Sequence, residues 1–243
     1  MNQLTGRVNE KYNTVEYYFK LKRTNDSLVK ANERLYNELK SDFELPDTTS
    51  KTVLDTIRID SLELFRKYNY LPAKVVYNSV SLPNNFIELA RGTTNGMKKD
   101  IGVVDPNNSV VGIVTDVSDG YAVVMSLLHK DSKISAKLKK GGDAGMVIWD
   151  GKDPNILTLT DIRKSAKVSK GDTVFTSGFT PTFPYGLMIG TVTEVIPDKS
   201  SNNYFITLRS SANFYNLQYV YAIDNLQKEE MDKLLDKVKK QTQ

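Results

Sequence analysis

Two stretches of this chain repeat each other, and that repeat restricts the fold more than any other feature. Gly112-Ile113-Val114-Thr115-Asp116-Val117 matches Gly190-Thr191-Val192-Thr193-Glu194-Val195. Upstream of each lies a lysine-containing turn feeding a strand, in Met97–Val104 and in Val168–Phe175. Downstream come Tyr121-Ala122-Val123-Val124-Met125 and Tyr204-Phe205-Ile206-Thr207-Leu208. Three elements in the same order imply two related small β units rather than one large sheet. The wider pattern agrees. After Pro72, short β-branched or aromatic runs alternate with Gly, Asn, Asp and Pro, and Asp119-Gly120 and Asp150-Gly151 are hairpin-type dipeptides. Many short strands with frequent turns predict barrels or a sandwich.

Ahead of this region the periodicity is helical. No proline occurs from about Val8 to Lys40, and Leu21, Leu28 and Leu35 fall one heptad apart. Tyr18, Asn25, Asn32 and Leu39 form a second heptad-spaced set, so the stretch reads as a coiled-coil seam with two polar positions. Facing asparagines cost stability but fix register and favour two strands, because their amides satisfy each other only in matched pairing. The expected dimer seam is Leu21, Asn25, Leu28, Asn32 and Leu35. The competing reading is an amphipathic helix packed on its own domain. Glu44–Ser50, with Pro46, breaks the helix, and the spacing of Val53, Ile57, Leu62 and Phe65 predicts a second, short helix before Tyr70. From Asp224 onward, Leu226, Met231, Leu234, Leu235 and Val238 predict an amphipathic C-terminal tail.

The residue inventory excludes most chemistry. The 243 residues include no cysteine and one histidine, which removes disulfides, thiolate metal sites, cysteine nucleophiles and multi-histidine metal centres. A net charge of +4 makes no case for nucleic acid. The clusters Lys137, Lys139, Lys140 and Lys20, Lys22, Arg23 read as solvated faces. A pair of β-barrels invites comparison with chymotrypsin-type proteases, for which His129 and Ser177 are the only base and nucleophile to weigh. No Gly-Asp-Ser-Gly pattern surrounds Ser177, and His129, followed by Lys130-Asp131, reads as a surface residue at a strand end. Lys140-Gly141-Gly142-Asp143-Ala144-Gly145 lacks the ending of a phosphate-binding loop and reads as a tight turn with positive φ. No catalytic residue, metal or cofactor is expected. The uncharged stretch Thr173–Thr193 is broken by glycines and prolines into turns and short strands, and Met1–Arg7 has no apolar core of a signal peptide.

Two segments carry a resemblance to a known family. Phe175-Thr176-Ser177-Gly178 followed by Phe183-Pro184-Tyr185-Gly186-Leu187-Met188-Ile189-Gly190-Thr191-Val192 resembles the V-T-S-G…F-P-x-G-L-x-I-G-x-V signature of the MreC family of bacterial rod shape-determining proteins. Arg91–Val104 followed by Gly112-Ile113-Val114 is similar to the family's glycine-spaced K-G…G-M-x-V-V…G-x-V segment, with Asp100-Ile101 replacing its glycine–methionine pair. The likeness covers roughly Ala73 to Ile223. It implies a non-enzymatic, extracytoplasmic scaffold of the cell-elongation complex that organises peptidoglycan synthases and maintains cell shape. Implied partners are a second copy of the chain, a penicillin-binding transpeptidase, MreD and the actin-like MreB. The family's membrane-spanning helix precedes its coiled coil and is not within this sequence, so the expectation is a chain beginning after that anchor, from an inner-membrane-anchored periplasmic protein. An adaptor of a membrane export pump is the alternative, although its helical hairpin normally lies within its β segments.

The expected architecture is therefore mainly β, with an N-terminal coiled-coil helix and two small β-barrels. The resemblance implies that one barrel is inserted into the other. The expected division is residues 1–45 for the coiled-coil helix, 46–72 for a linker with a short helix, 73–117 and 184–223 for the first barrel, 118–183 for the second, and 224–243 for the tail. Within the aromatic and proline-rich loop, Phe183 is expected to plug a barrel end. Phe179 and Tyr185 are the candidates for exposed partner-binding anchors.

Overall fold

The computed structural model describes residues 21–38, 43–44, 56–59 and 62–241. A helix, α1, spans residues 21–37. Three short strands follow: β1 (Phe43–Glu44), β2 (Thr56–Ile59) and β3 (Leu62–Arg66), paired antiparallel in the order β1-β3-β2. This corrects the expected linker with a short helix. The apolar spacing of Ile57, Leu62 and Phe65 fits a helix, but Thr56–Ile59 folds back on Leu62–Arg66 in a four-pair antiparallel ladder. It also ends the first unit before residue 45, because Phe43–Glu44 is already a strand on β3.

The remaining strands are β4 (Tyr68–Asn78), β5 (Asn84–Leu89), β6 (Gly102–Val104), β7 (Val110–Val117), β8 (Ala122–His129), β9 (Ile134–Leu138), β10 (Ala144–Ile148), β11 (Ile156–Arg163), β12 (Thr173–Thr176), β13 (Met188–Pro197), β14 (Asn203–Ser210) and β15 (Tyr219–Asn225). They close two six-stranded antiparallel barrels, β15-β4-β5-β8-β7-β6 and β10-β11-β14-β13-β12-β9. The chain ends in helix α2 (Lys228–Gln241). The second barrel lies in sequence between β8 and β15 of the first. The expected boundaries are corrected. Ala122–His129 pairs with β5 and β7 in the first barrel, and residues 188–210 belong to the second rather than the first. Tyr68–Asn78 starts the first barrel ahead of residue 73.

The sequence repeat occupies equivalent places, since β6-β7-β8 and β12-β13-β14 are the same three consecutive strands of each barrel. Each repeated residue has a physical reason. A Cβ on Gly112 would stand 2.3 Å from the Met125 carbonyl oxygen, and one on Gly190 would stand 2.5 Å from that of Arg209, so both strands need glycine for the close crossing. The repeated threonines sit where the register shifts, between Val114 and Asp116 and between Val192 and Glu194. There the Thr115 hydroxyl donates to the Val123 carbonyl at 3.3 Å and the Thr193 hydroxyl to that of Thr207 at 3.1 Å.

The same equivalence explains the departure at Asp100. The Asp100 amide donates to the Val114 carbonyl at 2.8 Å, as the Gly171 amide donates to that of Val192 at 2.8 Å. Both residues are left-handed, with φ of 61° and 92°. Asp100 thus holds a conformation for which the second barrel uses glycine, and aspartate tolerates it better than most side chains. Asp100→Gly is expected to raise stability by up to about 1 kcal/mol and Asp100→Val to lower it by at least about 1 kcal/mol, read as urea midpoints. A gain with valine would contradict the strain.

Alternation fills both interiors. Val103, Val114, Val124 and Ile223 in the first barrel, and Leu157, Leu159, Val174, Ile206 and Leu208 in the second, are fully buried. The barrels meet through the loop between β12 and β13. Phe183, 3% exposed, seats its ring on Gly102 of β6, where a Cβ would lie 2.2 Å from the ring. The Met188 amide donates to the Asn108 carbonyl at 3.1 Å, and the Asn225 amide side chain donates to the Pro181 carbonyl at 3.0 Å.

Candidate interaction surfaces

Helix α1 lies on the first barrel through a tyrosine-rich face. Tyr36 stacks on Tyr70 with centroids 5.1 Å apart and meets Tyr221 edge-on at 5.0 Å, while its hydroxyl donates to the Pro106 carbonyl at 2.7 Å. Tyr219 donates to Asp26 at 2.6 Å and Tyr221 to the Val29 carbonyl at 3.2 Å. Asn37 acts as a fragment of strand. Its Oδ1 accepts from the Tyr70 amide at 2.8 Å and its Nδ2 donates to the Tyr70 carbonyl at 3.3 Å. That stretch of β4 has no β5 partner, because the β4–β5 ladder begins at Val75. Burial, with Tyr221 and Asp105 adding, pushes the Tyr36 phenol up to about 12. Burial also raises Tyr221, and the bond to Asp26 raises Tyr219. All three phenols therefore stay neutral donors at any physiological pH.

This docking sorts the expected seam residues. Asn32 lines a groove with Val29, Asp105 and Tyr221, and Asn25 is half-buried in a groove of about 600 Å³ with Lys74, Val75, Leu217 and Tyr219. Leu21 and Leu28 line the same groove, and Leu21, Leu28 and Leu35 are nevertheless 56%, 57% and 60% exposed. Three heptad-spaced leucines left more than half exposed on a docked helix are apolar surface that the chain itself does not cover. The tyrosines and Asn37 that hold α1 were missed in the sequence, whose signal for them was a tyrosine-rich β15 without a stated target.

The second surface is the loop 177–186. Buried Thr176 organises it: its hydroxyl donates to the Pro184 carbonyl at 2.6 Å and accepts from the Leu187 amide at 3.0 Å. Ser177 shares a 2.7 Å hydrogen bond with Ser135 of β9, and its Oγ accepts from the Phe179 amide at 3.1 Å. Thus the Thr-Ser-Gly segment is a loop clamp. Phe183 turns inward, whereas Phe179 and Tyr185 are 71% and 64% exposed. The ring of Phe179 lies 5.8 Å from the Lys137 ammonium, and that of Phe175 lies 5.6 Å from Lys139.

His129 and Ser177 form no catalytic pair. Ser177 spends its hydroxyl on Ser135 and Phe179, and the His129 Nδ1 accepts from the Asp131 amide at 3.1 Å in the other barrel. His129 is not a surface residue, as expected from its charged neighbours, but is 6% exposed and packs edge-on against Phe86. The glycine-rich turn holds Gly141 and Gly142 at φ of 87° and 78°, a tight connection between β9 and β10. Among the described residues no cluster of metal-ligating side chains occurs, and no helix is long and apolar enough to cross a membrane.

Comparison with known proteins matches this arrangement. The family profile described as rod shape-determining protein MreC, barrel core, fits residues 75–224. The cell shape-determining protein MreC of Listeria monocytogenes is 29% identical over 206 residues, covering 84% of this chain and 70% of that protein. The Bacillus subtilis protein is 23% identical over 216 residues, covering 84% and 73%. A solved Listeria monocytogenes MreC superposes with a TM-score of 0.61 at 24% identity, over 92% of this chain and 95% of that one. The MreC of Helicobacter pylori, solved in complex with the penicillin-binding protein PBP2, gives 0.55 at 21% identity, over 66% and 99%. The helical region precedes both barrels rather than interrupting them, which with these matches sets aside the export-pump adaptor. This chain, with its paired barrels and its Phe183–Val192 signature at their junction, belongs to the MreC family of non-enzymatic rod shape-determining proteins.

Proposed function

We propose that this protein is an extracytoplasmic scaffold of the cell-elongation complex, organising peptidoglycan synthases so that cell shape is maintained. It dimerises through Leu21, Leu28 and Leu35, flanked by Asn25 and Asn32, and presents Phe179 and Tyr185 to a penicillin-binding transpeptidase. MreD and MreB complete the partner set that the family resemblance implies. The observation that carries the reading is the pair of exposed aromatic rings on a loop clamped by Thr176 and Ser177. Aromatic side chains bury large area at low entropic cost, and a rigid loop has little ordering left to lose on binding. Two relatives support it: one solved in complex with a penicillin-binding protein, and one described as the major periplasmic domain of a cell shape-determining filament.

The test is the double variant Phe179→Ala with Tyr185→Ala, titrated against the cognate transpeptidase ectodomain. Affinity is expected to fall roughly thirtyfold, as for a hot-spot pair, with the melting temperature unchanged. A fall in both would make the rings structural, and unchanged affinity would remove the loop as the contact.

A further inference from the structure

The lysines beside the loop specify the kind of surface that binds it. On the outer face of the second barrel, Lys137 of β9 is the register partner of Phe175 of β12, and Lys139 follows two residues along. The four side chains form a ladder, Phe179, Lys137, Phe175 and Lys139, in which each ammonium lies over a ring at 5.8 Å and 5.6 Å. Lys140 continues the cluster at the turn. None of Lys137, Lys139 and Lys140 forms an ion pair among the described residues, although lysines elsewhere on the chain do, as Lys98 does with Asp224 and Lys99 with Asp116. A ring face satisfies an ammonium only partly, at about 0.5–1 kcal/mol on an exposed site, so the charges keep most of their capacity to pair.

We infer that Lys137, Lys139 and Lys140 form the cationic rim of the aromatic anchor, so that the partner is a protein face with an apolar pocket bordered by carboxylates. The inference rests on the transpeptidase-binding reading above and adds the chemistry of the partner's contact. The rings fill the pocket and set how long the complex lasts. The lysines steer the encounter, which is what rim charges do at an interface. The ladder also explains why Phe179 stands exposed without collapsing on the barrel wall, since its ring is held from one side by the Lys137 ammonium.

The experiment measures association and dissociation rates of the full chain with the transpeptidase ectodomain across a salt series, in parallel with sedimentation on vesicles containing phosphatidylglycerol. The variant Lys137→Gln with Lys139→Gln and Lys140→Gln is expected to associate about tenfold more slowly at low salt, to lose most of its salt dependence and to keep its dissociation rate. Phe179→Ala with Tyr185→Ala is expected to show the reverse pattern, faster dissociation with the salt dependence kept. If the aromatic variant weakens binding while the lysine variant matches the parent in rate and salt dependence, the cationic rim is wrong and the anchor stands. If neither variant changes binding, the anchor reading itself fails. If the lysines are needed for vesicle binding but not for the transpeptidase, the surface reads an anionic lipid and the protein partner is overturned. Melting temperatures equal to the parent's are the control for both variants.

Discussion

Phe183→Ala is expected to cost about 3–5 kcal/mol and to lower the melting temperature by roughly 10 °C, the largest loss from any single truncation in the loop. The ring is almost fully buried and lies where the barrels touch, so its removal opens a cavity lined by two units that cannot both collapse into it. Gly102 makes the argument testable as a pair. Gly102→Ala alone is expected to cost about 1–3 kcal/mol, because its Cβ would fall 2.2 Å from the Phe183 ring and 2.8 Å from the Thr182 carbonyl oxygen. In the Phe183→Ala background the ring is gone and only the Thr182 contact remains, so the second loss should shrink to less than half. Additive losses in urea unfolding would show that the ring is not seated on Gly102.

Replacing Leu28 and Leu35 by glutamate is expected to halve the solution mass at micromolar concentrations. A two-stranded seam buries four such leucines, each worth about 1.5–3 kcal/mol, so the dissociation constant should rise at least about a thousandfold. Both leucines are more than half exposed, whereas α1 is held by Tyr36, Asn37 and Asp26. The variant should therefore keep its β-sheet spectrum and its docked helix. Sedimentation equilibrium decides it: an unchanged mass would remove α1 as the dimer contact.

What the sequence revealed and what it hid divide along a physical line. The repeat was legible because Gly112, Gly190, Thr115 and Thr193 answer local demands, a close strand crossing and a bulge, that recur wherever such a strand is built. The membership of strands was not legible. Ala122–His129 alternates as well for one barrel as for the other, and only its pairing with β5 places it. Ile57, Leu62 and Phe65 met a helical template because a spacing of three to five residues is also produced by two strands and a turn. His129 lay beside Lys130 and Asp131, and nothing in that run announced that the strand end tucks beneath Phe86. For Asn32 the heptad gave its position on the helix but not the groove it lines with Tyr221. The exposure of Phe179 and Tyr185 followed from turn chemistry, whereas the lysines over the rings belong to a neighbouring strand and became visible only with the register of β9 and β12.

The insertion of one barrel within the other also sets an order of events during synthesis. The first barrel begins with β4 but closes only when β15 pairs with both β4 and β6, and β15 is the last strand made. Until then its five earlier strands present an open edge and an uncovered apolar face. The second barrel, whose six strands are contiguous in the chain, has no such wait. Its folding replaces a long disordered loop between β8 and β15 with a compact unit, and so reduces the entropy that the final closure must overcome. The nascent protein is therefore most prone to aggregation in the interval before residues 219–225 emerge, and chain termination just short of them leaves a finished second barrel attached to an unfinished first.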